Sequence, residues 1–102
     1  MNELLLDDVK NYLDITWTDE KTDKKLKMMI ENGIKYLDQK SGVVNNYTVA
    51  GRARTLLLNH VLYEWNKALD DFYVNYRSEI VAFINKAKVN KYVSKKISTG
   101  DI

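Results

Sequence analysis

Not one of the 102 residues is proline. Average usage would place about five in a chain this long. Proline fixes φ and removes a backbone N–H, so it is a common way to stop a helix or stiffen a turn. Without it, and with apolar residues recurring every three or four positions, a chain reads as helical nearly throughout. Leu26, Met29, Ile30, Ile34 and Leu37 form one such stripe. A second segment is apolar over a wide arc: Ala50, Ala53, Leu57, Leu58, Val61, Leu62, Trp65 and Leu69. An arc that broad is contacted on several sides, which predicts that this segment is the central helix of the core.

Local signals place the boundaries. A short first helix is expected from Leu6 to Asp14, with Asp7 and Asp8 in its first turn, where the helix dipole favours carboxylates. Ile15-Thr16-Trp17 reads as a connector. Thr18 or Asp19 is a good N-cap for the second helix, which should end near Gln39 or Lys40, with Gly42 as its stop. Gly33 lies on the apolar stripe of that helix. A glycine there costs about 1 kcal/mol relative to alanine, so a neighbouring helix or ring is expected to pass close to the backbone. Gly42 to Tyr47 reads as a loop, Thr48 as the cap of a third helix ending near Leu69. Tyr76, Ile80, Phe83, Ile84 and Ala87 mark one face of a fourth. Asp70-Asp71 either caps that fourth helix or sits within one long kinked helix. The last segment has weak periodicity and reads as mobile or extended. The expected fold is therefore all-α: a small domain of about four helices over residues 1–87 and a mobile basic C-terminal tail over residues 88–102.

Composition excludes several chemistries. The chain has no cysteine and one histidine, which removes disulfides, thiol nucleophiles, thiolate metal sites and multi-histidine metal centres. The sequence holds no glycine-rich phosphate loop, no nucleophile elbow and no zinc-protease motif. Asp7-Asp8 and Asp70-Asp71 have the chemistry to hold a divalent cation, but a place near helix ends accounts for them better. His60 lies in the third helix beside Val61 and reads as a core or interface histidine bonded to a neighbour. Lys67 and Asp71, at i and i+4, are spaced for a surface ion pair. No catalytic residue, metal ligand or cofactor is expected, and the chain reads as a non-enzyme. The N-terminus lacks the basic region and long apolar core of a secretory signal. The apolar runs are too short for a membrane span of about 20 residues. A soluble intracellular chain with no membrane partner is the expectation.

Charge is unevenly placed. The total is +2 at pH 7. From Asn85 onward five lysines stand against Asp101 alone, a net +4, so residues 1–84 carry −2. Lys88, Lys91, Tyr92, Lys95 and Lys96 are the candidate docking residues of this end. Lysines spaced this way also suit phosphate contacts. Yet arginine, the preferred base reader, is absent there. The aromatic residues crowd another stretch: Tyr63, Trp65, Phe72, Tyr73 and Tyr76. Tyrosine and tryptophan serve both cores and interfaces, and Tyr63, Phe72, Tyr73 and Tyr76 are the candidate subunit-interface residues.

The order of the motifs resembles a known family. Val9-Lys10-Asn11-Tyr12-Leu13 followed by Ile15-Thr16-Trp17 is similar to the opening helix of phage head–tail connector proteins, the adaptor or head-completion proteins beneath the portal of long-tailed phages. Gly33-Ile34-Lys35-Tyr36-Leu37-Asp38 resembles the same family, as do Ala53-Arg54-Thr55-Leu56-Leu57-Leu58 and Val61-Leu62-Tyr63. The fullest similarity is Asn66-Lys67-Ala68-Leu69-Asp70-Asp71-Phe72 with Asn75-Tyr76-Arg77-Ser78-Glu79-Ile80. The resemblance covers Leu5 to Ile84 and leaves out the lysine-rich end. It implies a helical, non-enzymatic structural subunit of a homo-oligomeric ring, expected to be a dodecamer. Such a ring docks beneath the portal, links the DNA-filled head to a tail or stopper protein, and passes DNA without reading its sequence. The implied location is the head–tail junction of the virion, and the host cytoplasm before assembly. The alternative from the residues alone is a small helical nucleic-acid-binding or regulatory protein using the tail with Arg52 and Arg54.

Overall fold

Capping chemistry and packing together decide where the helices begin and end. A computed structural model describes the backbone of residues 2–100 and the side chains of residues 5–91. Within them the fold is all-α, with no strand: α1 (Asn2–Tyr12), α2 (Glu20–Ser41), α3 (Arg52–Trp65), α4 (Leu69–Asn75) and α5 (Arg77–Gly100). The second helix follows its sequence signals closely. The Asp19 carboxylate accepts from the backbone N–H of Thr22 at 3.3 Å and from its hydroxyl at 2.8 Å. At the other end Gly42 takes the left-handed conformation (φ 74°), and its N–H donates to the Asp38 carbonyl. That is the αL helix stop that glycine adopts without a Cβ penalty.

Other boundaries differ from expectation. α1 begins at Asn2, so Asp7 and Asp8 sit in mid-helix and not in the first turn. Asp8 instead accepts from Arg54 at 2.9 Å, joining α1 to α3. α3 begins at Arg52 with Gly51 as its N-cap, not at Thr48. The Thr48 N–H and hydroxyl both turn back to the Asn46 side-chain oxygen, at 3.0 and 2.6 Å, a local turn that competes with helix. α3 ends at Trp65 because Lys67 adopts φ 57°. Lys67 is thus outside the helix of Asp71, and no ion pair joins the two among the described residues. The open alternatives at Asp70-Asp71 resolve into a separate short helix, with both carboxylates in the first turn of α4. Tyr76 then separates α4 from α5, which gives five helices among the described residues where about four were expected.

α3 contacts each of the other four helices, which is what its broad apolar arc requires. Leu56, Leu57 and Val61 are buried from that helix, against Leu26, Met29, Ile30 and Leu37 of α2, Leu5 and Val9 of α1, and Ile80 and Phe83 of α5. At Gly33 side chains of α3 pack directly against the backbone of α2. A Cβ added there would lie 2.7 Å from Leu57 Cδ1 and 3.2 Å from His60 Nδ1. The glycine is therefore the space into which two α3 side chains pack.

The connection between α2 and α3 contributes to the core as well. Tyr47 is completely buried. Its hydroxyl donates to Asp38 Oδ1 at 2.6 Å, and the same oxygen accepts from the backbone and side chain of Asn45. Three donors on one carboxylate oxygen fix the loop to the end of α2.

α5 is 24 residues long, about 36 Å of helix. Ile80 and Phe83 are buried, Ile84 and Ala87 half-buried, and Lys88 to Lys91 exposed. The backbone has no break at Ala87. The segment from Lys88 onward, expected to be mobile or extended, is helical in its backbone as far as Gly100. What changes near Ala87 is packing, because the helix there leaves the body.

Candidate interaction surfaces

The aromatic cluster is built around Phe72. Its ring stacks on Tyr76 at 5.0 Å and meets the edges of Tyr63 and Tyr73 at 5.8 and 5.7 Å. His60 stands 5.2 Å away, on the α3 side. Phe72 is completely buried, so among the four interface candidates it is withdrawn: its ring is the hub of the core at α4. Tyr63, Tyr73 and Tyr76 pack around it and remain half-buried. The Tyr63 hydroxyl accepts from Asn75 at 3.3 Å. Burial pushes the hydroxyls of Tyr73 and Tyr76 up from their ordinary range, with Glu64 and Asp70 adding to it at Tyr73, and Tyr63, Tyr12 and Glu79 at Tyr76.

Tyr73 also pairs with Tyr36 of α2, ring to ring at 5.3 Å. Those two rings, with Ile80 and Val81 of α5, line a shallow hollow flanked by Lys40 and Arg77. The Lys40 ammonium lies 5.7 Å from the Tyr36 ring centre, a cation–π approach. This hollow presents aromatic faces and two cations to whatever covers it.

On α3, the buried His60 faces the half-buried Glu64 one turn further on. His60 is 2% exposed. Its Nδ1 and Glu64 Oε1 face each other at 3.9 Å, beyond hydrogen-bond reach, and neither has another partner among the described residues. Burial lowers the histidine pKa to about 4, so the ring is neutral at physiological pH. Burial likewise raises the Glu64 carboxyl, against the opposing effect of Asn32. The hydrogen bond to a neighbour expected for a core histidine is not formed at Nδ1. The i, i+4 spacing of His60 and Glu64 was a legible signal for the pair. The burial of His60 was not, because it depends on α2 and α4 packing against its ring.

The basic residues divide by the company they keep. Arg54 is held in place by Asp8 at 2.9 Å and by the Tyr47 carbonyl at 3.3 Å, so it acts within the fold. Arg52, the other arginine named for phosphate contact, is exposed and lines a groove with Lys86 and Lys91. Lys88 is exposed on the outer part of α5. Of the docking candidates, Tyr92, Lys95 and Lys96 lie outside the residues whose side chains are described. No described helix is long and apolar enough to cross a membrane. No protein-family model matches the chain, and no curated protein or solved structure matches it either.

Proposed function

We propose that this chain is a structural, non-catalytic subunit of a phage or prophage head–tail connector ring. The ring, a homo-oligomer of about a dozen copies, docks beneath the portal and joins the DNA-filled head to the tail or stopper protein. The observation that carries the reading is the ordered set of motifs from Leu5 to Ile84. The way α5 leaves the body supports it. A helix with Lys88 and Lys91 exposed is a suitable arm for a larger partner. The half-buried Tyr63, Tyr73 and Tyr76 are suitable for contacts between copies. In this role DNA passes through the channel without sequence-specific contacts, and the protein resides at the head–tail junction once assembled.

The test is to mix the purified chain with the purified portal protein of a long-tailed phage and image the product. Rings seated on the portal are expected. A truncated chain lacking residues 88–102 is expected to keep the far-UV dichroism of its helical body and to lose portal binding. Portal binding by the truncated chain at full strength refutes the role given to the end of α5. Sequence-specific duplex binding with a steep salt dependence, and no binding to the portal, refutes the connector reading in favour of a nucleic-acid-binding protein.

A further inference from the structure

Near the point where α5 leaves the body, it bounds a groove of about 490 Å³ with the start of α3 and the stretch after Gly42. Its apolar floor is Val43, Ala53, Phe83 and Ala87, and its cations are Arg52, Lys86 and Lys91. Among the described residues no carboxylate lines it. None of the three cations forms an ion pair among the described residues. The Asn45 amide at its edge is already engaged with Asp38 and the Val43 carbonyl. Glu79 borders a neighbouring hollow with Arg52 and Lys86 and does not line the groove. An apolar floor under unpaired cations calls for an occupant with both an apolar side chain and carboxylates. Nucleic acid would leave the floor uncovered.

The chain itself carries such a surface. On α4, Asp70 and Asp71 precede Val74 by four and three residues, which puts all three on one helix face. Val74 is 73% exposed, and both aspartates are exposed without an ion pair among the described residues. Lys67 shares their hollow without pairing to either. α4 cannot reach the groove of its own chain. It joins the start of α5 at Tyr76, while Phe83 to Lys91 lie about 9–21 Å further along the axis.

We propose that the cationic groove receives the α4 face of a second copy, with Val74 on the Phe83–Ala87 floor and Asp70 and Asp71 among Arg52, Lys86 and Lys91. The contact is heterologous, front to back, and closes into a ring when its rotation permits. It rests on the connector reading only for that closure, and it specifies which two surfaces meet.

The test uses the full-length chain and its charge-reversed variants, followed by sedimentation at low and high salt. The wild-type chain is expected to self-associate at low salt, and at least about tenfold more weakly in high salt, as exposed charges are screened. Asp70→Lys with Asp71→Lys, and separately Lys86→Glu with Lys91→Glu, should each lose association while keeping wild-type dichroism. Mixing the two variants should restore it, because each groove then meets an α4 face of opposite charge. A wild-type chain that stays monomeric to about 1 mM overturns the proposal, as does a mixture that fails to recover association. Portal-seated rings formed by either variant alone would overturn this contact and leave the connector reading standing. Open-ended chains of the wild-type protein, with no ring on the portal, would support the contact and remove the connector reading.

Discussion

His60 makes the stability of this protein depend on pH in a way that can be worked through. The ring is 2% exposed and its pKa falls from an ordinary 6.5 to about 4 because burial disfavours the charged form. The folded pKa lies below the unfolded one. Stability is therefore fully present above about pH 6.5 and is lost as pH falls toward 4, where only the unfolded chain takes up the proton. Integrating proton uptake down to pH 5 gives a loss of about 2 kcal/mol, rising to about 3 kcal/mol at pH 4. For a domain of this size, about 2 kcal/mol corresponds to a fall of roughly 8–16 °C in Tm. Glu64 works in the opposite direction. Its carboxyl pKa is raised in the fold, so the folded chain takes up that proton first and gains stability as pH falls. His60→Gln keeps Glu64 and removes the ring, so the difference between the two proteins isolates the histidine. Urea unfolding of both, followed by far-UV dichroism at pH 7.5 and pH 5, should show the wild type losing about 2 kcal/mol more than the variant. Parallel losses in the two proteins, or a His60 ring that titrates near 6.5 by NMR, would refute the argument that burial holds the ring neutral.

Three further outcomes are expected from the packing. Gly33→Val should cost about 1–3 kcal/mol by urea unfolding, since even the Cβ would lie 2.7 Å from Leu57 Cδ1. Tyr47→Phe should cost about 1–2 kcal/mol, because it removes the hydroxyl bound to Asp38 at 2.6 Å from a completely buried site. Phe72→Ala should cost about 3–5 kcal/mol, whereas Val74→Ala two residues away should change stability by less than about 0.5 kcal/mol. Thermal melts of that last pair check the assignment of Phe72 to the core and Val74 to the surface.

Some of this architecture was written locally and could be read without coordinates. Asp19, Gly42 and the Leu26–Leu37 stripe predict α2 nearly to the residue, because capping and amphipathic periodicity involve neighbours along the chain. The exceptional position of Gly33 was legible too, since a glycine on an apolar helical stripe marks a place where a neighbour packs against the backbone. The ends of α1 and α3 were not. Thr48 has the chemistry of an N-cap, yet a turn around Asn46 captures it. At the end of α3 it is Lys67, and not the neighbouring Asn66, that takes the left-handed backbone. Tyr47 looked like a loop residue and proved to be the largest of the fully buried side chains.

The interaction surfaces divide in the same way. The crowding of aromatic residues between Tyr63 and Tyr76 and the lysine-rich end were evident from order alone. Which aromatic is core and which faces outward depends on the angle at which α4 folds back on α3. That angle buries Phe72 completely and leaves Tyr63, Tyr73 and Tyr76 half-covered. Likewise, the sequence by itself determined that Lys86 and Lys91 share one side of a helix with Phe83 and Ala87, because helical spacing dictates it. Only the tertiary structure brought Arg52, more than thirty positions earlier, to the same groove, and turned Arg54 away to Asp8. Helical periodicity carries information about faces over a few turns. The pairing of one face with another is decided by packing between segments far apart in the chain, and spacing along the sequence does not encode it.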